Sequence, residues 1–172
     1  MIDFIKIDPN NLAQAQAYTS WYRDPIMINN WTLQKEKSKN IHNYSVEQFQ
    51  KEFSSPGKTA FMLRYMDQYI GYGSFYINHP VGMYKDGRTC WPSIGIGDAA
   101  SRGKGFGREL CKEVLRQAKE LDCTHIEAGI FEFNEKIKKI LLSNKFKYLG
   151  EVANKTFVDG KWCSSEHYLL KL

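Results

Sequence analysis

Only four cysteines, five prolines and no long apolar run occur in 172 residues, and each scarcity removes a class of function. Cys90, Cys111, Cys123 and Cys163 form no C-x-x-C and have no companion histidine at zinc-ligand spacing. Neither a disulfide framework nor a metal site is therefore expected, and the thiols read as reduced. No stretch approaches the length of a membrane span. Residues 1–8, Met1-Ile2-Asp3-Phe4-Ile5-Lys6-Ile7-Asp8, lack a basic leader region and an uninterrupted apolar core. They read as a strand rather than a signal peptide, which points to the cytoplasm. No repeat, low-complexity tract or linker is present, so residues 1–172 are expected to form one domain. The net charge of +5 comes from 24 basic against 19 acidic residues spread along the chain. Without a recognition-helix or RNP-like signature, that excess gives no reason to expect a nucleic-acid partner. The nearest cluster, Lys136, Lys138, Lys139, Lys145 and Lys147, reads as the solvated side of one helix.

What the chain does have is a glycine-rich corner, Arg102-Gly103-Lys104-Gly105-Phe106-Gly107. It follows a strand-like run, Ser93-Ile94-Gly95-Ile96-Gly97-Asp98. It precedes a helical stripe of Phe106, Leu110, Val114, Ala118 and Leu121, widened by Cys111 and Leu115. Alternate glycines permit a sharp turn and remove the Cβ atoms that would hold a ligand away. The first-turn amides of the following helix lack internal partners, and the helix dipole adds partial positive charge. A diphosphate suits such a corner, with Arg102, Lys104 and Arg108 adding charge around it.

Two phosphate-binding patterns do not fit. A Walker A loop needs four residues between its first Gly and Gly-Lys-[Ser/Thr], but five lie between Gly97 and Gly103-Lys104. A Rossmann fingerprint needs G-x-G-x-x-G in the first βα turn, whereas this segment lies past mid-chain. The remaining pattern, [Q/R]-x-x-G-x-[G/A], is carried by Arg102, Gly105 and Gly107. It resembles the acetyl-CoA pyrophosphate loop of the GNAT family of N-acetyltransferases.

The rest of the chain can be divided by its punctuation. Residues 2–8 alternate like a strand, and 10–22 read as a helix burying Ala13, Ala17 and Trp21. Arg23-Asp24-Pro25 breaks that helix. Ser45 and Gln48 form a capping box ahead of a short helix burying Val46, Phe49 and Phe53. Strands Thr59–Met66 and Tyr69–Ile77 read as a hairpin turning at Asp67-Gln68. A strand at 90–98 is followed by a helix at 104–121, a strand at His125–Phe131 and a helix at Asn134–Asn144 capped by Asn134. Tyr148–Val158 and Trp162–Leu170 pair across Asp159-Gly160.

The resulting order, β-α-α-β-β-β-α-β-α-β-β, is that of a GNAT domain, an α/β (α+β) fold with a mixed, mostly antiparallel sheet flanked by helices. The resemblance thus covers nearly the whole chain. Asn134 to Phe146 is similar to the family pattern N-x-x-[A/S]-x-x-x-Y-x-K-x-G-F. Tyr148-Leu149-Gly150-Glu151 with Phe157 to Trp162 resembles the ribosomal-protein-alanine and spermidine acetyltransferase branch, as does Trp21-Tyr22-Arg23-Asp24-Pro25.

The resemblance implies acetyl transfer from acetyl-CoA, without a metal, to a primary amine. The acceptor could be a polyamine, an aminoglycoside or amino sugar, an amino acid or a protein N-terminus, and homodimerisation is left open. The resemblance places the pyrophosphate on Gly103, Lys104, Gly105, Phe106, Gly107 and Arg108, and Asn134 beside the pantetheine. Gly95 and Gly97 would let pantetheine lie along the strand. The Ile96 or Gly97 amide would hold the oxyanion, a contribution of about 3–4 kcal/mol in well-placed sites. Ser93 stands where many relatives carry a catalytic Glu, and Leu141 where many carry a Tyr acid. Ser93, through a water, or Glu132 is then the candidate base, with Glu127 and Asp98 as further carboxylates. Trp31, on the stretch Ile26–Trp31, is the candidate acceptor contact; Trp21 and Trp162 also come into question there, beside the loop around 153–162. The absent Glu and Tyr motivate an alternative, a non-catalytic acyl-CoA-binding sensor.

Overall fold

Alternating β-branched and aromatic residues give seven strands: β1 (Ile2–Lys6), β2 (Lys58–Tyr65), β3 (Gln68–Ile77), β4 (Thr89–Ile96), β5 (His125–Phe131), β6 (Lys147–Val158) and β7 (Lys161–Lys171). The computed structural model describes residues 1–31 and 44–172, with the backbone alone for residues 29–31. The strands form one sheet in the order β1-β2-β3-β4-β5-β7-β6. Every neighbouring pair is antiparallel except β4 and β5. Five α-helices lie among the described residues: α1 (Leu12–Trp21), α2 (Pro25–Trp31), α3 (Val46–Phe53), α4 (Phe106–Glu120) and α5 (Glu135–Ser143).

Two cores form, one on each face of the sheet. Leu110, Val114 and Ala118 of α4 pack with Phe61, Leu63, Ile126 and Ile130 on one face. Tyr18 and Trp21 of α1 pack with Phe49 of α3 and with Met62 and Tyr72 on the other. Each of the larger aliphatic and Phe side chains contributes about 1.5–3 kcal/mol by leaving water.

Several local features differ from the sequence expectation. Pro25 does end α1 but also opens α2, the position in a first turn that its missing N–H suits. The buried face of α1 is Gln14, Ala15, Tyr18 and Trp21, with Ala13 exposed. Gln14 can be buried because its carbonyl accepts the Asp8 amide at 2.8 Å and its Nε2 donates to Lys6 O at 3.2 Å. The first hairpin turns at Met66-Asp67, one residue earlier than expected, with φ of 47° and 63°. Both central residues at positive φ match the right-handed twist of the flanking strands. The Ser45–Gln48 capping box, the Asn134 cap and the Asp159-Gly160 turn are present as the sequence suggests.

Candidate active site

β4 and β5 pair only at Thr89 with His125 and at Cys90 with Ile126. Beyond Cys90 the two strands separate while β4 stays on β3 through Ile96. The Asn78 amide donates to Thr89 O at 2.7 Å, which fixes the alternation along β4. Backbone groups of Thr89, Trp91, Ser93 and Gly95 then face β3, and those of Pro92, Ile94 and Ile96 face the opening. Pro92 has no N–H to leave unpaired there, so Ile94 and Ile96 present the amides that β5 would otherwise use. Between the strands runs a groove of about 920 Å³, at the upper end of the ~300–1,000 Å³ usual for small-molecule and cofactor sites.

The glycine corner closes the outer end of this groove. Gly103 and Gly105 have φ of 78° and 90°, and a Cβ at either would meet nothing within 4 Å. These glycines serve backbone conformation, and the space in front of them is open. Gly105 is the N-cap of α4, and no side chain caps the helix. Its first-turn donors thus point into the mouth of the groove, beside Arg108, Lys136 and Lys139. Asn134 lines the same wall. Its Oδ1 accepts the Ile137 amide at 3.4 Å, which leaves Nδ2 uncommitted among the described residues.

Three expected contacts have other roles. The Arg102 guanidinium pairs with Asp24 at 2.7 Å and donates to Ile96 O at 3.0 Å and Gly97 O at 2.9 Å. It ties the loop to the α1–α2 turn, with little freedom left to reach a phosphate. A Cβ on Gly97 would fall inside the Trp21 ring, so this glycine serves the core beneath it. The Phe106 side chain is buried against Tyr65, at 4.9 Å between centroids, and only its amide is placed for a ligand. Lys104 is exposed and Gly107 faces Ile140, so a Cβ there would come within 3.2 Å of Ile140 Cδ1.

Apart from Ser93, the expected base position, the inner end is built from residues the sequence did not single out. His79, Trp91 and Ser93 line both the groove and a second cavity of about 200 Å³. Tyr18, Tyr22, Tyr72 and Tyr76 wall that cavity together with Glu52 and Lys58. Ser93 Oγ lies 2.9 Å from the Tyr72 hydroxyl. Burial raises the pKa values of Tyr18 and Tyr72, so both stay protonated hydroxyls. The Lys58 side chain is only 8% exposed, bonds Glu52 and lies with its ammonium 4.4 Å from the Phe53 ring centroid. Alternation of Tyr72, Ser74 and Tyr76 along β3 was the available sequence signal for this wall.

Glu132 is not part of this end. Its amide bonds Ser164 O at 3.0 Å beyond β5, and it lines neither cavity. Leu141 is buried in the α4-side core. Trp21 is core, Trp162 is exposed and packs on Phe157, and the Trp31 side chain lies outside the described residues. Asp98 accepts the Ser101 hydroxyl at 2.5 Å. Cys111 lies on the groove wall, where burial pushes its thiol up to about 11.

A family model described as the acetyltransferase (GNAT) family matches residues 20–139. The chain belongs to the GNAT family. The matched span runs from the end of α1 into α5 and includes the glycine corner and the whole of β4 and β5. No curated protein matches this GNAT sequence significantly. Solved structures share its fold at low identity. Spermidine N-acetyltransferase from Vibrio cholerae, in complex with CoA and spermine, superposes with a TM-score of 0.78 at 13% identity, covering 99% of this chain and 95% of that one. A Salmonella typhimurium protein solved with its cofactor acetyl-CoA gives 0.76 at 16% identity, over 100% and 94%. Ribosomal-protein-alanine N-acetyltransferase from Brucella melitensis gives 0.70 at 20% identity, over 100% and 99%.

Proposed function

We propose that this GNAT protein transfers the acetyl group of acetyl-CoA to a small primary amine. The observation that carries the reading is the continuous path from the uncapped α4 N-terminus, along the freed edge of β4, to the tyrosine-walled cavity. The pyrophosphate sits on the first-turn amides of α4, where dipole and unpaired donors favour an anion. Pantetheine lies against Ile94 and Ile96 as an added strand would. The thioester then reaches the region of Ser93, and the Ile94 amide, in place of the expected Ile96 or Gly97 amide, stabilises the oxyanion of the tetrahedral intermediate.

The acceptor enters through the smaller cavity. A volume of about 200 Å³ suits an amine the size of an amino acid better than an aminoglycoside. Lys58 and the Tyr44 hydroxyl already engage the Glu52 carboxylate, so a second ammonium group finds no free acidic partner among the described residues that line the cavity. That favours an amine whose remainder is neutral or anionic over a polyamine. The test is release of CoA thiol from acetyl-CoA across a panel of amines. Stimulation by small monoamines supports the reading. Slow release that no amine accelerates would point instead to acyl-CoA binding without transfer.

A further inference from the structure

Acetyl transfer to an ammonium needs a base, and neither Glu132 nor Leu141 reaches the junction of the two cavities. The β5–β7 pair supplies a different arrangement on the same sheet face as Ser93. Glu127 of β5 is fully buried and accepts three hydrogen bonds. The Met83 amide donates at 2.7 Å to Oε1, the Tyr84 amide at 2.8 Å to Oε2, and His167 Nδ1 lies 2.7 Å from Oε1. Two amides that can only donate hold the carboxylate as an acceptor. His167 Nδ1 is therefore the donor, and whenever the ring is neutral Nε2 carries the lone pair.

That second nitrogen faces the groove. His167 is 3% exposed and lines the groove wall, and Nε2 has no partner among the described residues. Gly129 stands opposite His167 in register, and a Cβ there would lie 3.6 Å from Nε2. The same Cβ would fall 2.6 Å from Trp91 Cη2, so the Trp91 ring takes the space over Gly129 and borders Nε2, its centroid 5.4 Å from the imidazole. Trp91 is also part of the wall shared with the acceptor cavity.

We infer that His167, oriented by Glu127, is the base that takes the proton from the acceptor ammonium. The inference rests on the acetyl-transfer reading. One ammonium proton passes to Nε2, and Glu127 stabilises the imidazolium that forms. The freed nitrogen lone pair attacks the thioester carbonyl. Collapse of the tetrahedral intermediate breaks the C–S bond, and the amine's second proton goes to the departing thiolate. The imidazolium returns its proton to solvent, so the products are the N-acetylamine, CoA thiol and one proton. Glu127 does not touch substrate and acts as a positioning residue.

Other titrating groups around His167 separate from it. Lys155 of β6 lines the same groove, and His79 lies beyond Trp91 with rings stacked at 5.8 Å. Burial and, to a lesser degree, Lys85 hold His79 below the ordinary imidazole value. No ionisable side chain intervenes on β4, where Trp91 faces His167, or at Gly150 of β6, its other register partner.

The experiment has two arms on the full chain. Imidazole ¹⁵N spectra should show the Nδ1–H tautomer for His167 in the wild type, and loss of that preference in Glu127→Gln. This arm needs no acetyl transfer, and an Nε2–H tautomer overturns the inference. In the second, His167→Ala should lower kcat about a hundred-fold or more, with acetyl-CoA affinity within about two-fold. It should also lose the acidic limb of the pH–rate profile, which His79→Gln should keep, and should regain turnover with added imidazole. Should Glu127→Gln fail to fold, because Glu127 also anchors the Met83–Tyr84 connection, the His167→Ala arm stands alone. Turnover within about three-fold of wild type and an unchanged profile would overturn the base while leaving acetyl transfer intact. Absence of acetyl-CoA binding by the wild type would overturn the reading beneath both.

Discussion

Arg102 of the glycine corner and Asp24 of the α1–α2 turn form an ion pair of 2.7 Å, while the same guanidinium donates to the carbonyls of Ile96 and Gly97. The pair joins the end of β4, the phosphate corner and the helices that wall the acceptor side. Its side chains are only 17% and 25% exposed, so the interaction is less screened than an ordinary surface pair. Arg102→Ala and Asp24→Asn should each cost about 1–3 kcal/mol, and a double-mutant cycle should show coupling of about 0.5–3 kcal/mol. Acetyl-CoA affinity should fall to a similar extent in both, because both loosen the loop. A loss confined to Arg102→Ala would mean that the arginine binds phosphate directly.

Gly97→Ala should destabilise the fold through Trp21. The new Cβ falls within the indole, which is 6% exposed and held against Tyr18. Overpacking of this kind costs typically about 1–3 kcal/mol, and the upper end is expected here. Denaturant unfolding of Gly97→Ala, alone and combined with Trp21→Ala, measures it. Partial recovery in the double variant is the expected result, and an unaffected single variant would contradict the packing.

Acid stability should depend on Glu166 of β7, which holds α5 through Lys138 at 2.9 Å and accepts the Tyr168 hydroxyl at 2.6 Å. Burial alone would raise its pKa, but the hydrogen bonds from Tyr168 and Lys138 and the ammonium charge outweigh it and hold the carboxyl below its ordinary value. Its contribution is thus complete above the ordinary carboxylate range and is lost as pH falls through the depressed folded value. Glu166→Gln should flatten that part of the stability curve. An unchanged acid slope would show that the pair does not couple to folding.

The acceptor cavity gives a specificity prediction. Lys58→Met removes the ammonium that occupies Glu52 and frees its Oε1, while Oε2 keeps the Tyr44 hydroxyl. Diamines should then gain in kcat/KM relative to amines that carry a carboxylate. Amine-dependent thiol release checks the ratio, and an unchanged preference would place the acceptor elsewhere.

The frame of this site was legible in the sequence because it is local. A strand, three glycines and an amphipathic helix lie in one stretch of the chain, and period and composition suffice to find them. Even there, the ion pair of Arg102 was invisible, since its partner Asp24 is 78 positions away and only the fold brings them together. Gln14 hid the true face of α1 because its side chain finds backbone partners that periodicity does not register. The inner end was harder still. His79, Trp91 and His167 come from three separate segments, and each alone reads as an ordinary loop or strand residue; Glu127 stood out only as a further carboxylate, without its partner His167.

The central claim, that the α4 N-terminus and its glycine corner hold acetyl-CoA, is tested most directly by calorimetric titration of acetyl-CoA into the wild type and Gly105→Val. Gly105 has φ of 90° with open space before it, so a branched side chain would strain the turn and fill the approach to the amides. The helix stripe from Leu110 to Ala118 stays packed, and circular dichroism should show a folded variant. Saturable binding to the wild type and none to folded Gly105→Val is the result expected. Near-native affinity in the folded variant would contradict the account.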